Sequence, residues 1–312
     1  MKNAKFRILA PVEPDGSIED LTRLLKAVFP PDGTTVRCFF VARPIGTEVF
    51  LPEMYSAYSE IESIDREARL AAQEQLRLLA APLRAQGYAV ESDVVEGLPI
   101  AEVIREMSAW EANITVIRAS RKGPDGHRIG QLTSALLRHG TTPLLIHRDV
   151  PEGFRVRRVL IATDFSDASK GSADWGLGVA ALAGAEAHLL HVLARHGTRR
   201  IDPATLLRAG SEEIARWRTQ IDPSFGVPVT DAHVVSAEFP PAGILNFARE
   251  EAFDLIALAG TGRSVVSTAL LGSNARTVVQ ESDRPVLLIP VRNRVTPRAL
   301  SGKTSVEIAV PA

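Results

Sequence analysis

The residues of this 312-residue sequence best suited to chemistry are ones that expose the backbone: Gly260, Gly262 and Gly272, with the hydroxyl of Ser273 and the amide of Asn274 directly behind the last. Gly260, Thr261 and Gly262 break a short apolar run, Asp254 to Ala259, as a loop at the carboxyl end of a buried strand does. Nine residues separate Gly262 from Gly272. Ser273 then offers a capping hydroxyl, and the amphipathic stretch from Ala275 to Gln280 reads as a helix. Glycines let a backbone come close to a phosphate, and the open amides and dipole of a helix's first turn favour an anion there. The spacing therefore predicts a cradle for a nucleotide's phosphate tail. It would lie between the strand ending at Ala259 and a second buried strand, Val286 to Ile289, which follows Arg284 and Pro285.

This stretch resembles the nucleotide-binding signature of the universal stress protein family, in which a glycine, two residues, a glycine, nine residues and a glycine precede a serine or threonine. Gly262, Gly272 and Ser273 stand at matching positions, and Ala259 occupies the place of the first glycine with Gly260 beside it. The resemblance implies that an adenine nucleotide, ATP with or without Mg2+, is bound. Its phosphates would meet Ala259, Gly260, Gly262, Gly272, Ser273 and Asn274, with Arg263 adding charge. Ala162, Thr163 and Asp164 look like the family's strand end, whose Asp contacts the adenine, and Val192, in a His-Val pair with His191, would lie against the base. Taken as residues alone, this strand end reads equally as a helix cap, with Ser166 or Asp167 before Ala168. Arg263 reads equally as a solvated loop arginine, and no carboxylate cluster commits the sequence to a metal.

The elements that must position these residues recur twice. Phe6 to Val12 is a strand, the apolar spacing of Leu21, Leu24, Leu25 and Val28 is helical, and Val36 to Ala42 is a second strand. Ile61, Ile64, Ala68, Ala72, Leu76 and Leu79 share one face of a long crossover helix. Val90 to Val95, Pro99 to Trp110, Ile114 to Ile117, a loop from Arg118 to Gly130, Leu132 to Arg138 and Pro143 to His147 continue the alternation of strand and helix. The order starts again with a strand at Val159 to Thr163, a helix at Ala168 to Ala183 and a strand at His188 to Leu193; Leu207, Ile214, Trp217 and Ile221 form the face of the second crossover. Leu9 and Glu13 match Leu160 and Asp164 at an offset of 151, and Gly130 and Pro143 match Gly272 and Pro285 at an offset of 142. A period this long that preserves the order of elements marks two copies of one fold.

The predicted class is α/β, with two tandem doubly wound domains at 1–150 and 151–292 and a tail at 293–312. The resemblance implies a five-stranded parallel sheet of order 3-2-1-4-5 in each, helices on both faces, and a site where that order reverses. The last strand of each half is a sheet edge that needs cover, so the halves are expected to pair as an intramolecular pseudo-dimer, with a homodimer left open. In the first half Glu13 replaces the aspartate, and Arg118, Ala119 and Ser120 replace the first glycine turn, so that site is expected to be degenerate. Arg118, Arg121, Lys122 and Arg128 there read as solvated charges or as an anion site.

A net charge of −1, no long basic run and few aromatics leave no footprint for nucleic acid or an anionic membrane. There is no run of about 18 apolar residues, and the apolar start is short and interrupted by Arg7, so a cytoplasmic protein is expected. Cys38, inside a strand-like run, is expected to be a buried, inert thiol. The sequence has no P-loop lysine and no nucleophilic triad, so an enzyme is not expected beyond slow ATP hydrolysis. Two functions stay open: a nucleotide-binding stress regulator acting on an unknown protein partner, or a ligand-free interaction module of the same fold.

Overall fold

The computed structural model describes residues 6–12, 18–42, 58–119, 130–195, 202–221, 227–262, 272–290, 292, 293 and 295. Glu13, Ser120, Arg121, Lys122, Arg128, Arg263 and most of the expected tail lie outside them. The first half runs β1 (Phe6–Pro11), α1 (Ile18–Val28), β2 (Thr34–Ala42), α2 (Tyr58–Leu79), α3 (Ala81–Ala85), β3 (Ala89–Glu96), α4 (Pro99–Ala109), β4 (Ile114–Arg118), α5 (Gln131–His139) and β5 (Leu144–His147). The second runs β6 (Arg158–Thr163), α6 (Asp167–Ala183), β7 (Glu186–Ala194), α7 (Pro203–Arg218), β8 (Val229–Ala237), α8 (Pro240–Glu250), β9 (Leu255–Ala259), α9 (Ser273–Glu281) and β10 (Val286–Ile289). β8 and α8, the third strand and helix of the repeat, are elements that the sequence reading does not resolve singly.

All ten strands form one sheet in the order β3-β2-β1-β4-β5-β10-β9-β6-β7-β8. Within each half the pairing is parallel and follows the expected order 3-2-1-4-5, reversing between β1 and β4 and again between β6 and β9. The halves join by the antiparallel pairing of β5 with β10, Leu144 to Ile146 opposite Leu288 to Val286. Both strands are buried along their whole length. Leaving either as an edge would expose unpaired backbone groups beside a row of leucines, and the pairing covers both at once. Helices α1 and α6 meet on one face of this seam. Apolar layers on both faces run across the seam, one including Leu24, Val36 and Leu287 with Trp175, the other Leu136, Ile146 and Leu288 with Val278.

Local rules explain most element ends. Ser166 caps α6 by accepting from the Ser169 amide, and Gly184 closes it with φ of 64°. Asp202 does the same for α7 through the Thr205 amide at 2.9 Å. Three expectations about elements need correction. Among its described side chains, the apolar face of α2 is buried only in the last turns, where Leu76 is covered and Ala72 and Leu79 half-covered; Ile64 is 52% exposed and Leu70 58%. The cause is position: α2 packs over β2 and β3 at the outer margin of the sheet, where no further strand widens the layer. Arg118, expected to open a loop, is the last residue of β4. Leu207 in the second crossover is likewise more exposed than its periodicity implies, since α7 meets the sheet through Gly210, Ile214 and Trp217.

Cys38 is fully buried in β2, and burial pushes its thiol up to about 12, so it stays protonated and unreactive at neutral pH. No helix among the described residues is long and apolar enough to cross a membrane.

Two histidines tie stability to pH. His147 in β5 and His233 in β8 both sit below the ordinary histidine value of 6.5, each chiefly because burial disfavours the charged ring. The unfolded chain then binds protons that the folded chain resists. This contribution is fully present above pH 6.5 and is lost as pH falls below it. Asp202, held low by hydrogen bonds from Thr205, titrates below this window. The urea midpoint should therefore fall between pH 7.5 and about 5.5, and His147→Gln should flatten part of that slope. A midpoint that is level or rises toward pH 5.5 would show that neither ring resists protonation.

Candidate functional site

The carboxyl ends of β6 and β9 lie side by side, since Val159 to Ile161 pair with Leu255 to Ala257, and the residues just beyond them converge. Ala162 and Thr163 close β6 as buried residues, and Asp164 follows, half-buried. One carboxylate oxygen of Asp164, Oδ1, accepts from the Ser166 amide at 3.1 Å and from the hydroxyls of Ser166 and Ser169, each at 2.5 Å. Ser166 also caps α6. Of the residues offered as a helix cap, Ser166 takes the role, and the Asp164 carboxylate is held in one orientation by the hydroxyls and amide that follow it.

Phe165, the next residue, has φ of 64°, a left-handed conformation that costs a phenylalanine energy. Its amide donates to Thr163 Oγ1 at 2.9 Å, and its ring packs on His191 with centroids 4.2 Å apart and edge-on to the buried Trp217 at 6.2 Å. His191 donates from Nδ1 to the Thr163 carbonyl at 2.8 Å. His191 thereby ties β7 to the strand end bearing Asp164. Phe165 and Ser169 are the supporting residues that sequence reasoning missed; Ser166 and Ser169 at a spacing of three were the available signal.

On the β9 side, Gly260 donates to the Ile289 carbonyl at 2.7 Å and accepts from the Gly272 amide at 2.8 Å, so the loop after β9 is stitched to the start of α9. A Cβ on Gly260 would lie 3.1 Å from the Ile289 carbonyl oxygen, which explains why a glycine follows Ala259. Gly262 faces Asp164: an added Cβ would stand 2.5 Å from Oδ2. Gly272 is the N-cap of α9 with no side-chain cap bond, so Ser273 is the first helical residue rather than the expected capping hydroxyl. The first bond of the α9 ladder runs from the Arg276 amide to the Gly272 carbonyl at 3.1 Å. The preceding amides, of Ser273, Asn274 and Ala275, belong to the turn that a helix leaves without internal acceptors, and no acidic residue sits in that turn. Ser273 and Asn274 are exposed. This end of α9 can take an anion, and the glycine backbone before it fits a phosphate approach.

Val192 is placed less openly than expected. It is 9% exposed, and α8 lies so close that a Cβ on Gly243 would stand 2.6 Å from Val192 Cγ1. Its side chain serves the packing of α8 on β7.

The first half differs at the equivalent place. Arg118 pairs with His147 in the sheet as Ala259 pairs with Ile289, so the arginine holds the position of the first turn residue. Its guanidinium meets the exposed Asp149 at 2.9 Å and the buried Asp20 at 3.7 Å, so this solvent-exposed arginine already has carboxylate partners. Gly130 lies twelve positions after Arg118, against thirteen from Ala259 to Gly272, so the first half has one residue fewer between these points. Among the described residues, no group of three or more histidine, cysteine or carboxylate side chains is arranged to hold a metal.

These features can be set beside known proteins. A curated relative, a universal stress protein of Methanocaldococcus jannaschii, is 28% identical over 142 residues, covering 43% of this chain and 81% of that protein. Among solved structures, a universal stress protein from Archaeoglobus fulgidus superposes with a TM-score of 0.64 at 20% identity, covering 94% of this chain and 100% of that one. A putative universal stress protein from Pseudomonas aeruginosa gives 0.63 at 15% identity over 96% of each chain, and at these identities both likenesses speak for the fold alone. The profile of the universal stress protein family matches twice, at residues 7–148 and 155–290. With most of its length matched in two successive copies, this chain belongs to the universal stress protein family.

Proposed function

We propose that the chain is a nucleotide-binding regulator that holds one adenine nucleotide, ATP in the first instance, in its second half, residues 151–292. The degenerate first half, residues 1–150, then serves as its intramolecular partner. The observation that carries this reading is the convergence of Asp164, Gly262 and Gly272 at the point where the sheet order reverses, with Gly262 directly against the Asp164 carboxylate. Ligands of open α/β sheets bind in such crevices. The first-turn amides of α9 would hold the phosphates, with the Ser273 hydroxyl and the Asn274 amide beside them. Arg263, ahead of α9 in the sequence, would add charge, Asp164 would read the purine edge, and Ala162 and Thr163 would wall the base end. Mg2+ would enter with the triphosphate. Hydrolysis, where it occurs, would be slow, and the output would be a change in the surface offered to another protein. A ligand-free scaffold is the second reading, favoured by Ala259 where the family signature has glycine.

Calorimetric titration decides between them. Gly272→Val should abolish ATP binding and leave the fold intact, because a Cβ there makes only ordinary contact, 3.4 Å from the Gly260 carbonyl oxygen, while its branches fill the phosphate approach. The same change at Gly130 should leave a stoichiometry of about one ATP per chain, the number expected from a single intact crevice. Two sites per chain, or loss only with Gly130→Val, would overturn the assignment. A wild-type chain that binds no adenine nucleotide would favour the scaffold.

A further inference from the structure

Helix α9 is nine residues long and poorly provided at its carboxyl end: no basic residue lies in its last turn, and it finishes on Glu281, a negative charge at the negative end of the helix dipole. The missing cation comes from the other half of the chain. Arg148, the residue after β5, donates from Nη2 to the carbonyls of Val279 at 3.1 Å and Gln280 at 2.7 Å, and from Nε to that of Ser282 at 3.2 Å. Its Nη1 donates to the Ala119 carbonyl at 3.3 Å, just past β4. One guanidinium thus joins the last carbonyls of α9 to the first half, in a part-buried setting where charge-assisted hydrogen bonds are strong.

The arrangement is one-sided. In the first half, α5 carries Arg138 and His139 in its own last turn, whereas the C-cap amides serve both helices alike, Gly140 donating to Leu136 and Ser282 to Val278. At the repeat offset that relates Gly130 to Gly272, the position matching Arg148 is Pro290, which has no side-chain donor. The borrowed cation therefore serves only the helix whose opposite end faces Asp164 and Gly262.

We propose that Arg148 is a positioning residue for the phosphate end of α9, coupling nucleotide affinity in the second half to the seam between the halves. The proposal rests on the reading of the α9 N-terminus as the phosphate site. A short helix keeps its first-turn amides aimed only while its other end is held, and Gly272 is already tied to Gly260. Without Arg148 the last turn loses its acceptors' partner, the helix frays toward its first turn, and phosphate binding must restore the order. By linkage, phosphate binding in the intact chain tightens the seam that Arg148 spans.

The test titrates the full chain and its Arg148→Met and Arg148→Lys variants with ATP and with adenosine, which carries the base and ribose without phosphates. It also follows hydrogen exchange of α9 amides without ligand. Arg148→Met should weaken ATP about tenfold and leave adenosine unchanged, with Arg148→Lys between, a loss in the range of couplings between linked sites. Exchange in α9 should quicken in Arg148→Met and be partly restored by lysine. Equal loss of both ligands would reduce Arg148 to general stability, and unchanged ATP affinity or unchanged α9 exchange would overturn the proposal outright. A wild-type chain that binds neither compound overturns the nucleotide reading and the proposal together, whereas wild-type ATP binding that survives in Arg148→Met overturns the role of Arg148 alone.

Discussion

Parallel pairing of β6 with β9 is the constraint from which the site follows. The chain leaves β6 through α6 on one face and leaves β9 through α9 on the other, so the two strand ends part their loops and open a crevice. The same reversal between β1 and β4 opens an equivalent place in the first half. Topology therefore offers two crevices, and side chains decide what each can accept. In the second half, glycines lie at the mouth with an oriented carboxylate opposite. In the first, an arginine engaged with Asp149 and Asp20 takes the place of the first signature residue, ahead of a stretch one residue shorter in sequence.

The β5 to β10 pairing has consequences beyond covering two edges. It sets Arg148 beside the end of α9, so the helix at the candidate site is supported by residues from both halves. Stability at the seam and geometry at the crevice thus share one element. Strain is stored on the other wall, in the left-handed Phe165, and is held by His191, Thr163 and Trp217. Backbone strain of this kind persists only where surrounding packing fixes it.

The fold was largely legible because parallel strands buried on both faces write near-continuous apolar runs, such as Val286 to Ile289, and because each pattern occurs twice. Glycine spacing located the β9 to α9 side for a similar reason, since backbone approach demands a residue without Cβ. What stayed hidden depends on burial and partners rather than type. Periodicity alone could not tell that Ile64 overhangs the sheet margin, that Val192 is covered by α8, or that Arg118 meets two carboxylates. Arg148 was invisible for the same reason: its acceptors lie more than 130 positions away, on a helix of the other half.

On the proposed assignment the nucleotide belongs to the second crevice and not to the first. Photolabelling the full chain with an azido-adenine analogue of ATP, followed by peptide mapping, measures place directly. Label should be confined to peptides carrying residues 162–166, 191–193 or 259–274, and should be competed away by ATP. Competable label within residues 7–148 would contradict it.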